Sequence, residues 1–568
     1  MGRRLGSSLA LLGSYLGLLV WLTWPLAAHL ATHHPETALA CRFDQLHAIW
    51  ALSYATHVLV SAPGRLAGGN IYHPAPHALF YGPAGFGAVP YFAPTFLLTG
   101  NPTLAGNVLF LGGVGLSALM LHLVAQRWTG SSAAGFLAAW TLLTTRWTLW
   151  TWIPTVPYDA VLLYFPVILF VAARPAQSFR QALVLLPLVV LQCLVESTYV
   201  AVAVLAPLGL LALARVARRS TRAAGLRLLG VLVLAVVALL PVYAGYATVR
   251  AENPMLPSQT QWTNIPPDTV LSETLLAPDA ATAVPGAAML VALIGGLAFA
   301  LRARRAAATE RAAWAQGACW VLAGTLLSLK SPLFQGGVRI PIPQDLLRGI
   351  PISAFLRVPA RLAMAALMGL AVLVGLGFGE CTRRLATPDR GRWAPAARGI
   401  LALLVAAAMF AEYRSGPVYD RAEAGSLPAS YPVTPSVAPS PIDAVLRAGE
   451  GPVLQIPVAP TLRSPGLQAR AMYRSIYHWR PILNGYSSYW PAGFPERMAL
   501  ANRLPDPQAL ATLRRDTGLA TVVVTMWELR PPQQAVWRAL ARDGSRTDLR
   551  LVAQDEGLLV FEVAAQPP

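Results

Sequence analysis

A carboxylate just past the first long apolar segment is the residue of this chain that most favours catalysis. Asp44 lies in the sequence Cys41-Arg42-Phe43-Asp44-Gln45-Leu46-His47, and the chain has only 26 acidic residues among 568. Such a carboxylate can take a proton from a hydroxyl as that oxygen attacks an electrophilic carbon. His47, three residues later, is the best candidate to support it. The alternative is a solvated loop acid, or a cap that begins a surface helix over residues 45–60.

Two further acids border apolar segments. Asp159 comes two residues after Pro157, where an apolar segment begins, and Glu196 divides the apolar stretch from 181 to 214. Each could line a site. Asp159 could equally be a helix-start residue that the helix dipole stabilises. We expect Glu196 at the tip of a tight hairpin, near the outer surface of a membrane.

Two arginines late in the chain have a spacing suited to binding phosphate. Arg357 and Arg361 are four residues apart, so they would share one face of a helix that enters the bilayer. A guanidinium group pairs bidentately with phosphate oxygens. In the alternative interpretation, each long side chain only reaches lipid headgroups from the end of a helix.

The composition places these residues in a membrane protein. Hydrophobic residues make up 55% of the chain and charged residues 12%, with a mean hydropathy of +0.50. A soluble protein carries roughly 25% charged residues. Apolar stretches of membrane-spanning length recur along the chain, which predicts a polytopic helical membrane protein.

The net charge of +18 has a better explanation than nucleic-acid binding. The basic residues are arginines apart from Lys330, and many lie in short clusters between apolar segments. Such clusters are retained on the cytoplasmic side of a membrane. No basic face with interleaved aromatic residues appears, so nucleic acid is excluded as a partner.

The apolar segments predict eleven membrane-spanning helices. They are expected near residues 7–29, 104–125, 132–149, 157–173, 181–197, 199–214, 228–248, 285–301, 313–329, 361–379 and 399–412. With eleven spans, six arginine clusters fall on one side, which predicts a cytoplasmic N-terminus and a C-terminus outside. The predicted location is the plasma membrane, which the chain crosses several times.

This topology divides the chain into three parts. Residues 1–412 form the membrane domain, with outer loops at 30–103, 249–284 and 330–360. The stretch 413–442, rich in Pro, Ser and Ala, is the predicted linker. Residues 443–568 are expected to form a small periplasmic α/β domain.

Alternating and apolar runs predict the elements of that last domain. Strands are expected at 453–458 and 521–525, and a closing hairpin pairs 549–552 with 558–563. A helix is expected over 506–515, because Pro505-Asp506-Pro507 is a start signal. The fold class is therefore an all-α membrane domain with a small C-terminal α/β domain.

The cysteines and histidines define no metal centre. The four cysteines have no CxxC spacing, so neither a disulfide framework nor a zinc site is indicated. Histidines crowd the first outer loop, but none forms a familiar ligand motif with a carboxylate. No metal ligands are therefore assigned.

Several short sequences, taken in order, resemble the GT-C superfamily of bacterial integral-membrane glycosyltransferases, in a largely uncharacterised branch. In the first outer loop they are Phe43-Asp44-Gln45 and Asn70-Ile71-Tyr72-His73-Pro74. Later in the chain they are Leu98-Thr99-Gly100-Asn101-Pro102, Arg127-Trp128-Thr129-Gly130, Leu356-Arg357-Val358-Pro359-Ala360-Arg361 and the run from Tyr477 to Tyr486.

The resemblance implies both a fold and a reaction. It implies a multi-span helical domain with a periplasmic soluble domain, and a donor sugar carried on a polyprenyl phosphate. The acceptor would be a glycan, a lipid or a protein. An acid in the first outer loop acts as the base in such enzymes, and Asp44 occupies that position. A late basic residue holds the lipid phosphate, and Arg357 or Arg361 matches by position.

One departure from the family pattern keeps alternatives open. Many members carry two adjacent acids in the first loop, whereas Asp44 is followed by Gln45. No cofactor is assigned with certainty, and dependence on a divalent metal stays open. The competing classes are a membrane transporter or flippase, and an inactive scaffold whose outer domain binds a partner.

Overall fold

The structure is a computed structural model of the chain. It describes residues 2–37, 41–253, 284–329, 333–335, 338–341, 359–383, 393–415, 427–458, 465–544 and 546–564. Most of the outer loops predicted at 249–284 and 330–360, including Arg357, lies outside the described residues.

Helices dominate the first three quarters of the chain, because apolar runs of this length satisfy their backbone hydrogen bonds internally only as helices. The first eleven are α1 (Gly2–Leu22), α2 (Arg42–Ser61), α3 (Val89–Thr99), α4 (Pro102–Thr129), α5 (Ser132–Leu143), α6 (Trp152–Thr155), α7 (Tyr164–Ala173), α8 (Phe179–Leu183), α9 (Leu185–Val195), α10 (Tyr199–Ala217) and α11 (Arg222–Glu252). They are followed by α12 (Gly286–Arg302), α13 (Ala308–Ser328), α14 (Ala363–Cys381) and α15 (Trp393–Ser415).

Each predicted membrane segment coincides with at least one of these helices. Among the described residues, six helices are long and apolar enough to cross a membrane. The segment predicted at 157–173 begins as a 3-10 turn, Pro157–Ala160, and only then continues as α7. Pro157 accounts for the end of α6 at Thr155, because proline disfavours helical backbone in the residue before it. The number of spans stays a prediction.

Small residues let two of the long helices approach closely. A Cβ atom added to Gly295 in α12 would lie 2.1 Å from the Cα atom of Gly377 in α14. Glycines at helix interfaces in membranes bring backbones into van der Waals contact, where packing supplies the attraction between helices. The α12–α14 contact therefore depends on both glycines.

Helix α2 lies inside the protein, not on its surface. The predicted helix over residues 45–60 is present, but its residues 45–56 are buried. The helix α17 (Pro465–Arg474) contacts α2, and Gly466 lies against the ring of Phe43. The sequence did not reveal this burial, because the covering helix is more than 400 residues away in the chain.

The last part of the chain forms a mixed four-stranded sheet. Strand β5 (Val453–Ile456) pairs in parallel with β6 (Thr521–Thr525), which pairs antiparallel with β8 (Leu558–Val563). Strand β7 (Leu549–Asp555) completes the order β5-β6-β8-β7. The predicted strands and the closing hairpin are confirmed. The remaining helices here are α16 (Ile442–Ala448), α18 (Phe494–Ala501), α19 (Pro507–Thr517) and α20 (Pro531–Asp543).

A short strand in the predicted linker joins the two halves of the chain. Strand β4 (Val433–Pro435) pairs antiparallel with β1 (His33–Pro35), which follows the first helix. A second short pair joins β2 (Leu333–Gln335) to β3 (Val338–Ile340). The stretch 413–442 is therefore not only a connection, because part of it fixes the first outer loop against the C-terminal region.

Candidate active site

Asp44 lies in the first turn of α2, where the bundle meets the C-terminal region. The Tyr486 hydroxyl donates a hydrogen bond of 2.5 Å to Asp44 Oδ1. The backbone N–H of Cys41 donates to Thr155 Oγ1 at 3.0 Å, which fixes the start of the helix. Asp44 is partly exposed. Tyr486 therefore orients the carboxylate of a residue that is partly exposed.

The donor of that hydrogen bond keeps its proton over the physiological range. Burial, followed by the charge of the nearby Asp44 carboxylate, raises the pKa of Tyr486 well above its ordinary value. A phenol in this state donates a hydrogen bond and takes no part in titration near neutral pH. Tyr486 can therefore orient Asp44 without competing for its proton.

His47 lies one helical turn after Asp44, and its ring is buried. Burial lowers the pKa of His47 to about 4, so the imidazole is neutral near pH 7. Its Nε2 atom has no hydrogen-bond partner within the described residues. A Cβ atom added to Gly82 would lie 2.7 Å from Nε2 and 2.9 Å from Ser487 Oγ. Gly82 therefore packs directly against His47 and Ser487, whose Nε2 and Oγ atoms are buried without a hydrogen-bond partner among the described residues.

Three of the predicted site residues form one buried ionic cluster. Arg361 Nη2 lies 3.0 Å from Asp159 Oδ2, and Nη1 lies 3.6 Å from Glu196 Oε1. All three residues are buried. They come from separate connections: the 3-10 turn Pro157–Ala160, the 3-10 turn Pro359–Leu362 and the link between α9 and α10. The cluster therefore holds three distant segments together.

Glu196 lies between α9 and α10, as predicted for the turn of a hairpin, but its side chain is buried in this cluster. Its carboxylate accepts hydrogen bonds from Thr198 Oγ1 at 2.7 Å and from the backbone N–H groups of Tyr199 and Val200 at 3.2 and 3.3 Å. An acid here satisfies donors at the N-terminus of α10 and interacts favourably with the helix dipole. Glu196 thus links the start of α10 to Arg361.

Aromatic rings enclose the guanidinium group of Arg361. Its Cζ atom lies 4.4 Å from the centre of the Tyr199 ring and 5.6 Å from that of Trp152. Arg361 Nε and Asp159 Oδ1 are buried and lack hydrogen-bond partners within the described residues. The cluster is therefore enclosed, and two of its polar atoms have no hydrogen-bond partner among the described residues.

Burial sets the electrostatics of the cluster. It raises the pKa of Asp159 from 3.8 to about 7, with Arg361 opposing the shift and Glu196 adding to it. For Arg361, burial disfavours the charged form, but the carboxylates of Glu196 and Asp159 outweigh it, so its pKa is raised. The arginine is therefore permanently charged, whereas Asp159 exchanges its proton near neutral pH.

Tyr158 connects this cluster to Asp44. Burial raises the pKa of Tyr158 well above its ordinary value, and the charges of Glu196, Asp159 and Asp44 raise it further. Helix α2 contacts the 3-10 turn that carries Tyr158. Asp44 and the buried cluster therefore lie on the same side of the bundle, around one phenol ring.

The site also contains three tyrosines that were not predicted from the sequence as site residues. Tyr158, Tyr199 and Tyr486 all contact or influence the predicted acids. Tyr486 belongs to a segment dense in aromatic residues, and that composition did not predict its hydrogen bond to Asp44. Among the described residues, no group of three or more His, Cys, Asp and Glu side chains converges as metal ligands.

Comparison with solved structures shows what this fold is similar to. The described architecture is similar in fold to solved GT-C membrane glycosyltransferases, and the predicted resemblance is confirmed at the level of the fold. No family model matches the sequence. No curated protein matches it either. The similarity to these structures is therefore one of fold and not of sequence.

Two of the similar structures are of one enzyme. The arabinofuranosyltransferase AftD from Mycobacteria aligns with 100% of this chain at 16% identity and a TM-score of 0.50. A mutant form of AftD aligns at 15% identity with a TM-score of 0.57. The chain covers 40% and 42% of those two chains, less than half the length of AftD.

An archaeal enzyme gives a weaker similarity. The oligosaccharyltransferase AglB from Archaeoglobus fulgidus, in complex with an inhibitory peptide and a dolichol-phosphate, aligns with 91% of this chain and 69% of its own. The identity is 11% and the TM-score is 0.47.

Proposed function

We propose that the chain is a glycosyltransferase that moves a sugar from a polyprenyl-phosphate donor to an acceptor hydroxyl of a glycan, lipid or protein. The observation that carries the proposal is the Asp44 carboxylate, which Tyr486 orients at 2.5 Å while it remains partly exposed. A GT-C fold supports the reaction class. The donor and acceptor classes rest on the family resemblance.

Asp44 acts as the general base in this reaction. The acceptor oxygen forms a bond to the anomeric carbon as its proton passes to the carboxylate. The bond between that carbon and the phosphate oxygen breaks, and the polyprenyl phosphate leaves with the electron pair. Negative charge therefore builds on the phosphate, where fixed positive charge lowers the barrier.

We assign different roles to the two late arginines. Arg361 is compensated by Asp159 and Glu196 inside the protein, so binding a phosphate would require competition with two carboxylates. We propose that Arg361 is a positioning residue that fixes the segment on which Arg357 lies, four residues earlier. Arg357 is then the better candidate to contact the lipid phosphate. His47, buried one helical turn after Asp44, would support the base by packing beside it.

The arrangement of the ionisable residues favours an enzyme over a transporter. A transporter uses ionisable groups that face one another near the middle of the bilayer, commonly on broken helices. Here Arg361 precedes α14, Asp159 precedes α7 and Glu196 lies between α9 and α10. The cluster thus lies at helix ends, where a reaction at the membrane surface would take place.

The proposed topology has eleven spans, a cytoplasmic N-terminus and the active site on the outer face of a bacterial inner membrane. Residues 1–412 form the membrane domain, 413–442 connect it to the rest, and 443–568 form the outer α/β domain. Strand β4 and Tyr486 support this arrangement, because both join the C-terminal region to the first outer loop. The side of the membrane on which each terminus lies can be tested with single engineered cysteines. Their reaction with a membrane-impermeant reagent is measured at each end of the chain.

Donor turnover tests the proposed function directly. The full-length protein is reconstituted into liposomes with a panel of polyprenyl-phosphate sugars, and free polyprenyl phosphate is measured. We expect release with at least one donor when acceptor is present, and a greater loss in Arg357→Gln than in a matched exposed-arginine control, Arg515→Gln. Movement of intact donor across the bilayer without cleavage would indicate a flippase and overturn the proposal.

A further inference from the structure

A second polar cavity lies at the end of the bundle opposite the candidate active site. Thr103, at the start of α4, is within 2.7 Å of the Tyr473 hydroxyl in the C-terminal region. Arg127 lies in the last turn of the same helix, which has 28 residues. At 1.5 Å per residue the two ends are roughly 40 Å apart. The cavity beside Arg127 is therefore separate from the Asp44 site.

Arginines from five helices and helix ends line this cavity, which has a volume of about 340 Å³. They are Arg127, Arg174, Arg302, Arg383 and Arg398. Trp128 and Trp314 lie in the same lining. Guanidinium groups beside aromatic rings at the ends of apolar helices match the level at which phospholipid headgroups lie.

Two acids in the cavity are already engaged. Arg302 Nε donates to Glu380 Oε1 at 2.6 Å, its Nη2 donates to Glu380 Oε2, and its Nη1 donates to Glu310 Oε2 at 2.9 Å. Arg383 lies 3.4 Å from Glu310 and 3.8 Å from Glu380. The acids and these two arginines therefore compensate one another and leave no negative charge to repel an anion.

Among the described residues, the other three arginines have no acidic partner. Arg398 donates only to the backbone oxygen of Thr382, at 3.1 and 3.3 Å. For Arg127 and Arg174 the part of the chain that the structure describes supplies neither a hydrogen bond nor an ion pair. Three uncompensated guanidinium groups around one cavity fit a ligand with several negative oxygens, because each group can pair bidentately with phosphate.

We infer that this cavity binds the phosphate group of an anionic ligand, supplied by the headgroup of a surrounding phospholipid. Basic pockets between membrane helices bind anionic headgroups in this way. The apolar helix surfaces that flank the cavity would hold the acyl chains. The site is independent of the proposed sugar transfer, so its test does not depend on that activity.

Lipid titration of the full-length protein in detergent tests the inference. Native mass spectrometry measures binding of dioleoylphosphatidylglycerol and of dioleoylphosphatidylcholine, which have the same chains but differ in net charge. The test variant is Arg127→Gln with Arg174→Gln. The matched control is Arg218→Gln with Arg219→Gln, an exposed pair at the same end of the bundle but outside the cavity.

We expect the anionic lipid to bind more tightly than the zwitterionic one, and the test variant to weaken it about thirtyfold, the effect of two surface charges. The control should change affinity by less than about threefold, since its charges act only at a distance. If millimolar inorganic phosphate displaces the lipid, the cavity is still a phosphate-binding site, but its ligand is a soluble phosphate compound and the lipid assignment is wrong. Equal binding of both lipids, or equal losses in both variants, would overturn the inference.

Discussion

The pH dependence of stability tests the buried cluster most sharply through Asp159. Burial raises the pKa of Asp159 from 3.8 to about 7, so the folded protein holds a proton that the unfolded chain has released above pH 4. An acid of this kind stabilises the fold fully at low pH, and the contribution is lost as the pH rises through 7. The variant Asp159→Asn resembles the protonated acid in shape and charge, so it should not show this loss.

The magnitude follows from the pKa of Asp159. Between pH 5 and pH 8 the wild-type protein should lose roughly 3 kcal/mol of stability relative to Asp159→Asn. The loss is about 1.36 kcal/mol for each pH unit over which the folded protein holds the Asp159 proton and the unfolded chain does not. Over a chain of this length that energy corresponds to a change of about 2–3 °C in Tm. At pH 8 the variant should therefore be the more stable protein.

Comparing the Tm of the two proteins at each pH cancels the contributions that other titratable groups make to both. Burial lowers the pKa of His34 to about 3, of His47 to about 4 and of His478 to about 3. These histidines destabilise both proteins below pH 6.5, because only the unfolded chain takes up their protons. The difference between the two melting curves isolates Asp159.

The assay is intrinsic tryptophan fluorescence during heating, in detergent, at half-unit steps from pH 5 to pH 8.5. The control is Asp516→Asn, which removes an exposed acid paired only with Arg515. Its difference from the wild type should stay flat across the range. If the Asp159→Asn difference is also flat, or if the variant loses stability as the pH rises, the reasoning about the cluster is refuted.

The remaining predictions concern the same site and the packing of the bundle. Arg361→Met leaves buried carboxylates uncompensated and should lower the free energy of unfolding by about 3–5 kcal/mol. Adding Glu196→Gln to this variant should restore part of the Tm, and a double variant no more stable than the single one contradicts this. Tyr486→Phe removes the donor to the proposed base and should lower kcat about tenfold or more, with donor KM retained; an unchanged kcat contradicts it. Gly295→Leu should reduce the folded fraction in size-exclusion chromatography, because its Cβ atom would overlap the facing helix, whereas Gly17→Leu on an open face should not.

The sequence predicted the elements of this fold better than their contacts. Apolar runs and the start signal before Pro507 gave helices and strands that the structure confirms. The burial of α2 and the pairing of β1 with β4 were not predictable, because each depends on chain segments about 400 residues apart. Hydrophobic periodicity describes one element at a time and carries no information on such partners.

For the candidate site, too, the charged residues were predictable from the sequence but their contacts were not. Asp159 and Glu196 are predictable as candidates because they border apolar segments, and Arg361 because it lies four residues after Arg357. Their contact with one another could not be foreseen, since neither spacing nor charge pattern links positions in three separate connections. Similarly, the aromatic run that ends the resemblance gave no indication that Tyr486 in particular donates to Asp44.

The most direct test of the proposed reaction separates donor binding from donor cleavage at Asp44. Wild-type protein, Asp44→Asn and the control Asp516→Asn are mixed with a polyprenyl-phosphate sugar, and both bound donor and released polyprenyl phosphate are measured in a single turnover. General-base catalysis predicts unchanged binding and release slowed by about 10²–10⁴ in Asp44→Asn alone. Release at the wild-type rate from Asp44→Asn would contradict the assignment of this carboxylate as the base.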